Sequence, residues 1–490
     1  MKKAVLLLIG MALAAMLMSC AANEDSNKQS DSEIDTMLAG ELTREITVSY
    51  YDTMLYRRFL TEAAELFEKT HPGTKINLRG FSQMPELKYM DLEDGSGVVS
   101  NVATDENAEI ADYIYRVNAE LMSGKGPDIL AADVLPYYKY AKSGYFEDLS
   151  SYMNANNNFD ISEYRGNIFA ATKYRSGQYI LPIDFAFNFF SFDKSRIEGS
   201  AAAVLRNNSK FTYWELTDLI HDQFIDDKSD SRMIDFGRGA VQAFRYLFRY
   251  EYTKYVDLDN LTANFEDGSF VQLINNIKQQ LENGYFIPNF NSTEDRTRDF
   301  VESQRLYYYK FNTDLVLMDI FSPNRNEAHE KTFPIPDADE IAGLWVNSEG
   351  NASLLYYQAY GMNANSPNKE LAWEFLNFLI GEEMQQSLTL LGFPVNNAAF
   401  IERTKEKFST ETADNGRLKV VGEKNINAYN DYMEYLNGFI DELNFYPVTD
   451  KIIHEMVTDE VELFFEGVKS AESVAGVLQN KVQLYLSENE

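Results

Sequence analysis

Cysteine occurs once in the 490 residues, at Cys20, so no disulfide can form within the chain. Histidine occurs four times, at His71, His221, His329 and His454. These are widely separated, with no H-E-x-x-H run and no cysteine pair, so no zinc motif is present. The acidic loops "DLEDGSG" and "DLDN" lack the twelve-residue calcium pattern. Basic residues are scarce: 44 Lys and Arg stand against 76 Asp and Glu, a formal net charge of -32. Nucleic acid needs Lys and Arg against its phosphates, so that balance argues against it, and against adsorption on anionic lipid. It does not fix a ligand's charge, because a cleft can differ from the whole surface. No G-x-S-x-G elbow, Walker A loop or G-x-G-x-x-G turn appears. No nucleophile, cofactor or metal is therefore indicated.

A long apolar run is confined to the start. Lys2 and Lys3 precede an apolar stretch over 4–18, and Ser19 precedes Cys20. Residues 1–19 read as a secretory signal, too short for a spanning helix. Leu17-Met18-Ser19-Cys20 resembles a bacterial lipobox, which makes Cys20 the expected lipidation site and membrane anchor. Residues 20–44 are polar and acidic, with few large apolar side chains, and read as a flexible tether. The remaining length can bury a large core and suggests two or more lobes. Phe (33) and Tyr (31) are plentiful and Trp is rare (3); most of these rings are expected to fill the core.

From residue 45 the pattern alternates between strand and helix. "ITVSYY" (46–51) is β-branched and alternating, a strand. Phe59, Leu60, Ala63, Leu66 and Phe67 recur at helical spacing, and His71-Pro72-Gly73 ends the helix. "KINLRGF" (75–81) is a second strand, which completes a βαβ unit. Residues 83–107 are polar and read as a loop insertion. Ile110, Ile114, Val117 and Leu121 mark a helix stopped by Gly124, and a third strand follows over 129–132. Together these predict an α/β chain with a largely parallel sheet. Further along, Ser366 is a natural N-cap with Pro367 in the first helical turn. Val474, Leu478, Val482 and Leu486 fall on one helical face.

Open α/β sheets bind ligands outside the carboxyl ends of their strands. That rule selects Tyr51 and Asp52 after the first strand, Arg79 and Phe81 at the second, and Asp133 after the third. Asp133 could equally cap a helix in "DVLPYYKYAKSGY". Asp128, within Gly-Pro-Asp, is expected to serve its turn.

"GKGPDI", "SGYFEDLSSYM", "YILPIDFAFNFFSFDK", "MDIF", "FPIPD", "SPNKELAWEFLNFLIGEEMQQ" and "GFPVNN" occur in that order. This ordered set resembles the extracellular solute-binding proteins of family 1, the sugar-binding lipoproteins of ABC importers, from about residue 45 to the C terminus. The resemblance implies a two-lobed α/β fold of the type II periplasmic-binding-protein kind, crossed more than once by the chain. It implies a monomer without catalytic activity, which binds an oligosaccharide between closing lobes and delivers it to a permease. Residues 45–184 with 360–397 would form one lobe, and 185–359 with 398–490 the other. It also implies cleft positions for Asp184 and Asn188 on the first crossing, and for Asp319 and Phe321 entering from the second lobe. Trp214 and Trp373 would pack helices. Trp345 would be a loop residue able to stack on a sugar face. Ala131 and Ala132 stand where a maltose-binding relative has a tryptophan, so maltose is not implied. Two other readings use the same composition: a lipid-anchored glycoside hydrolase, which needs two suitably spaced carboxylates, and a glycan-binding surface lipoprotein uncoupled from transport.

Overall fold

The computed structural model describes residues 44–81, 87–91, 97–101, 106–155, 159–193, 199–226, 232–235, 239–285, 307–312, 340–408, 410–412, 418–420 and 426–488. Cys20 and the two segments before residue 44 lie outside them, as do Asp319 and Phe321.

The βαβ unit forms as its pattern dictates. Strand Arg44–Tyr51 pairs in parallel with Thr74–Phe81, in register from Arg44 opposite Thr74 to Tyr51 opposite Phe81. The connecting helix Met54–Thr70 starts where the Thr53 side chain accepts the Tyr56 N–H. It buries Phe59, Leu60, Ala63 and Phe67 completely. The helix Glu106–Met122 buries Ile110, Tyr113, Val117 and Leu121, and stops at Gly124, whose φ of 69° suits a residue without Cβ. Strand Ile129–Ala131 then pairs in parallel with Arg44–Tyr51. Ala359–Met362 and Leu181–Pro182 complete a five-stranded sheet, antiparallel at that end.

A second five-stranded sheet runs Arg232–Asp235, Tyr307–Asn312, Phe189–Asp193, Glu340–Trp345, Lys210–Phe211. Between the two, Asp184–Phe187 and Ala352–Leu355 sit in a four-stranded sheet with Phe393–Pro394 and Leu443–Phe445. The chain leaves the first sheet through Asp184–Phe187 and returns to it through Ala352–Leu355. The helices Gly239–Tyr250, Ser269–Glu282, Lys451–Phe465 and Ala471–Glu488 share a core that includes Phe244, Phe248, Phe270, Ile274, Val457 and Val461. Val474, Leu478, Val482 and Leu486 enter it together, on the one face their spacing specifies.

Three local readings are corrected. Residues 83–107 carry an antiparallel hairpin, Leu87–Asp91 with Gly97–Asn101. Mixed polarity hid two short strands. The helix expected to start at Pro367 starts at Lys369. Ser366 Oγ instead accepts the Asn368 N–H (3.0 Å) and donates to Asp128 Oδ1 (2.5 Å). Asp128 Oδ2 in turn accepts the Thr47 N–H (2.8 Å). That carboxylate therefore joins the first strand to the 366–368 segment rather than serving only its own turn. Finally, Asp133 caps no helix: the helix Tyr137–Lys142 begins after Pro136.

Candidate ligand site

The exit of strand Ile129–Ala131 opens on a cavity of about 550 Å³. One wall comes from the helix Glu106–Met122 (Ile114, Tyr115, Asn118), the 132–136 turn with Asp133, and Tyr137 and Lys139. The opposite wall is one stripe of the helix Gly239–Tyr250: Gln242, Arg245, Tyr246 and Arg249. That spacing of three and four residues keeps all four on one helical face. Lys451, Ile452, His454 and Glu455 extend this wall, and Tyr356 and Tyr446 lie between the walls. The rings of Tyr356 and Tyr446 stack, with centroids 4.6 Å apart and planes at 22°. Tyr137 joins them at 6.4 Å.

Three polar atoms of residues lining this cavity are shielded from solvent and have no protein partner, Asp133 Oδ1, Tyr137 OH and Arg249 Nε, while the equally shielded Tyr356 hydroxyl is directed at Tyr446. A buried polar atom left unsatisfied costs about 1–3 kcal/mol. All three belong to residues that line the cavity, and each sits beneath its surface. Burial pushes the Asp133 carboxyl up to about 6, against the nearby Tyr56 hydroxyl and the Val134 N–H, which pull it down. Burial, with the Arg249 and Arg245 guanidiniums close by, pushes His454 down to about 4, so it is neutral at pH 7. Burial also raises the phenols of Tyr137 and Tyr356 far beyond their ordinary range, so both are hydroxyl donors. Two ion pairs hold the walls: Lys139 with Asp450 at 3.2 Å and Arg245 with Glu455 at 3.1 Å. Asp450 also accepts the Tyr138 hydroxyl (2.7 Å) and caps the helix Lys451–Phe465 through the Ile452 N–H (3.0 Å).

Of the residues named from sequence that lie among the described residues, Asp133 lines this cavity and the others do not. Tyr51 is buried and donates to Glu109 Oε2 (3.2 Å). Asp52 pairs with Arg57 at 2.5 Å. Phe81 lies against the Tyr113 ring (5.5 Å) and under the Arg116 guanidinium (4.6 Å). Asp184 is fully buried. Its Oδ1 accepts the Tyr357 and Gln358 N–H groups (2.8 and 3.0 Å), and its Oδ2 accepts the Gly392 N–H (3.1 Å). Burial nevertheless raises its carboxyl to about 6. Asn188 donates to the Tyr250 hydroxyl (2.8 Å). Trp345 is not a loop residue. It ends the strand Glu340–Trp345, buried against Phe190 (5.5 Å) and Tyr213 (5.7 Å), because the apolar run continues to Val346 before the turn begins. Trp373 packs in the core beside Tyr152 and Phe159, as its helical setting implies, and Trp214 is partly buried beside Tyr213.

Sequence reasoning passed over Tyr137, Tyr356, Tyr446, Arg249 and Lys451. The charged stripe 242–249 was the one readable signal, since it interrupts an otherwise apolar helix. Among the described residues, no group of three or more His, Cys, Asp or Glu is placed to hold a metal ion, and no helix is long and apolar enough to cross a membrane.

The arrangement of two sheets with crossing strands between them is shared with solved structures. The sugar-binding protein MalE of Xanthomonas citri is similar with a TM-score of 0.57 at 10% identity, over 91% of this chain and 98% of its own. An extracellular solute-binding protein family 1 of Alicyclobacillus acidocaldarius is similar with a TM-score of 0.54 at 14% identity, over 90% and 98%. An ABC substrate-binding protein of Listeria monocytogenes, solved in complex with cycloalternan, is similar with a TM-score of 0.51 at 16% identity, over 91% and 99%. No curated protein sequence matches this chain. These structural likenesses fix a two-lobed binding-protein fold. The sequence itself matches the family model of the bacterial extracellular solute-binding proteins over residues 55–386, and the chain belongs to that family.

Proposed function

We propose that this solute-binding protein takes a carbohydrate, an oligosaccharide, between its lobes and hands it to the permease of an ABC importer. One observation carries the ligand: a cavity lined by Tyr115, Tyr137, Tyr246, Tyr356 and Tyr446 together with Asp133, Arg249 and Lys451. Sugars present apolar C–H faces and many hydroxyls. Tyrosine offers a ring for the first and a hydroxyl for the second. The volume suits a small-molecule site, for which roughly 300–1,000 Å³ is usual. The family and the likeness to sugar-binding relatives support the same reading. Asp133 would accept sugar hydroxyls, and Tyr137 and Tyr356 would donate to sugar oxygens.

Residues 45–184 with 360–397 would move against 185–359 with 398–490, in a hinge closure driven by contacts made only when the ligand is held. Cys20 would tether the protein to the outer face of the cytoplasmic membrane. The test is a thermal-shift screen of the chain from Ala21 against mono- and oligosaccharides, with product analysis on each hit. A rising midpoint with intact sugar supports a binding protein. A consumed sugar would favour a hydrolase, and no shift with any sugar would remove the carbohydrate assignment.

A further inference from the structure

The cavity wall carries four basic residues, Lys139, Arg245, Arg249 and Lys451, in a chain of net charge -32. Lys139 and Arg245 are neutralised by Asp450 and Glu455. Arg249 and Lys451 have no ion pair among the described residues, although both are half-buried. The Arg249 Nε is shut off from solvent with nothing to donate to. Both cations flank the neutral imidazole of His454, and Arg249 also acts on Tyr446. Among the described residues two lining carboxylates have no ion pair: Asp133, near enough for Lys451 to act on it, and the exposed Glu488. Inside the cavity, then, two unpaired cations on one wall face one unpaired carboxylate on the other.

An Arg guanidinium can donate to sugar hydroxyls one bond at a time. Its planar fork fits a carboxylate in two parallel hydrogen bonds. We propose, resting on the carbohydrate reading above, that the ligand is an acidic sugar, a uronate-bearing oligosaccharide, whose carboxylate lies against Arg249 and Lys451 while its hydroxyls reach Asp133. One bound carboxylate would leave the interior with equal charges of each sign.

The test uses di- and trisaccharide uronates against the same sugars with the carboxyl reduced to the alcohol, by isothermal titration calorimetry on the chain from Ala21. Sulfated and phosphorylated counterparts form a third arm. The expected result is binding of an acid form at least tenfold tighter than of its reduced partner, weakening as salt rises. Arg249→Met should abolish most of that preference, and Arg249→Lys should keep part of it. Equal binding of acidic and reduced sugars would overturn this inference and leave the carbohydrate reading intact. Equal loss of both in Arg249→Met would also overturn it, since the residue would then act on closure rather than on ligand charge. A clear preference for sulfate or phosphate would overturn the choice of a uronate. Failure of every sugar, acidic or neutral, would remove both readings.

Discussion

If Asp133 holds sugar hydroxyls as a charged acceptor, binding follows its ionised fraction, and burial pushes its carboxyl up to about 6 in the free protein. Acidification from pH 7 to pH 5 takes the ionised fraction from about nine-tenths to about one-tenth. Kd should therefore rise about tenfold, or about 1.4 kcal/mol. The Tyr56, Tyr356 and Tyr360 phenols near this carboxyl lie far above that window. His454, at about 4, remains neutral throughout. Nor does this group's effect on folding mimic the result. Its folded pKa is raised from 3.8, so its contribution to stability is fully present below about 4 and is lost as pH rises through about 6. Asp184 has the same sign and the same window, but it lies off the cavity. Calorimetry at pH 5, 6 and 7 on wild type and Asp133→Asn measures the effect. The variant should bind about tenfold more weakly at pH 7 and lose the pH slope. A wild-type change under twofold, or an unchanged slope in the variant, would refute the argument.

Asp184→Ala should strip the acceptor from three buried N–H groups and cost about 3 kcal/mol or more, read as a fall in denaturation midpoint. Gly392→Ala should destabilise by about 1–3 kcal/mol in the same assay, because an added Cβ would sit 2.7 Å from the Phe185 carbonyl oxygen and 2.8 Å from Asp184 Cγ. Phe248→Ala should cost about 3–5 kcal/mol, since the ring is fully buried among Phe244, Tyr255 and Phe270. Cys20→Ala should release the protein from membranes in cell fractionation; full retention would remove the lipid anchor.

The alternation of strand and helix was legible because each element obeys a local period. Residues 46–51 and the Phe59–Phe67 stripe needed no tertiary partner to be read. The parallel exits were legible too, and they led to Asp133. They led equally to Tyr51, Asp52 and Phe81, whose side chains turn to Glu109, Arg57 and Arg116. A strand end locates an edge, but only the packing of the facing helix decides which of its residues meets a cavity. Asp184 shows the same limit from the other side: an acid on a crossing strand suggests a cleft, yet three backbone donors from residues 357, 358 and 392 claim it. Tyr356 and Tyr446 are ninety positions apart, and nothing in either neighbourhood announces that their rings stack.

The helix Gly239–Tyr250 carries two stripes, Ala240, Ala243, Phe244, Leu247 and Phe248 in the core and Gln242, Arg245, Tyr246 and Arg249 on the cavity. Tyr246 also packs against the core and Arg245 pairs with Glu455, so Gln242 and Arg249 are the positions of the second stripe that can change while the first holds the fold. A library confined to positions 242 and 249 would explore ligand preference on a constant scaffold, and drift at those two sites would let one solute be exchanged for another without refolding the lobe.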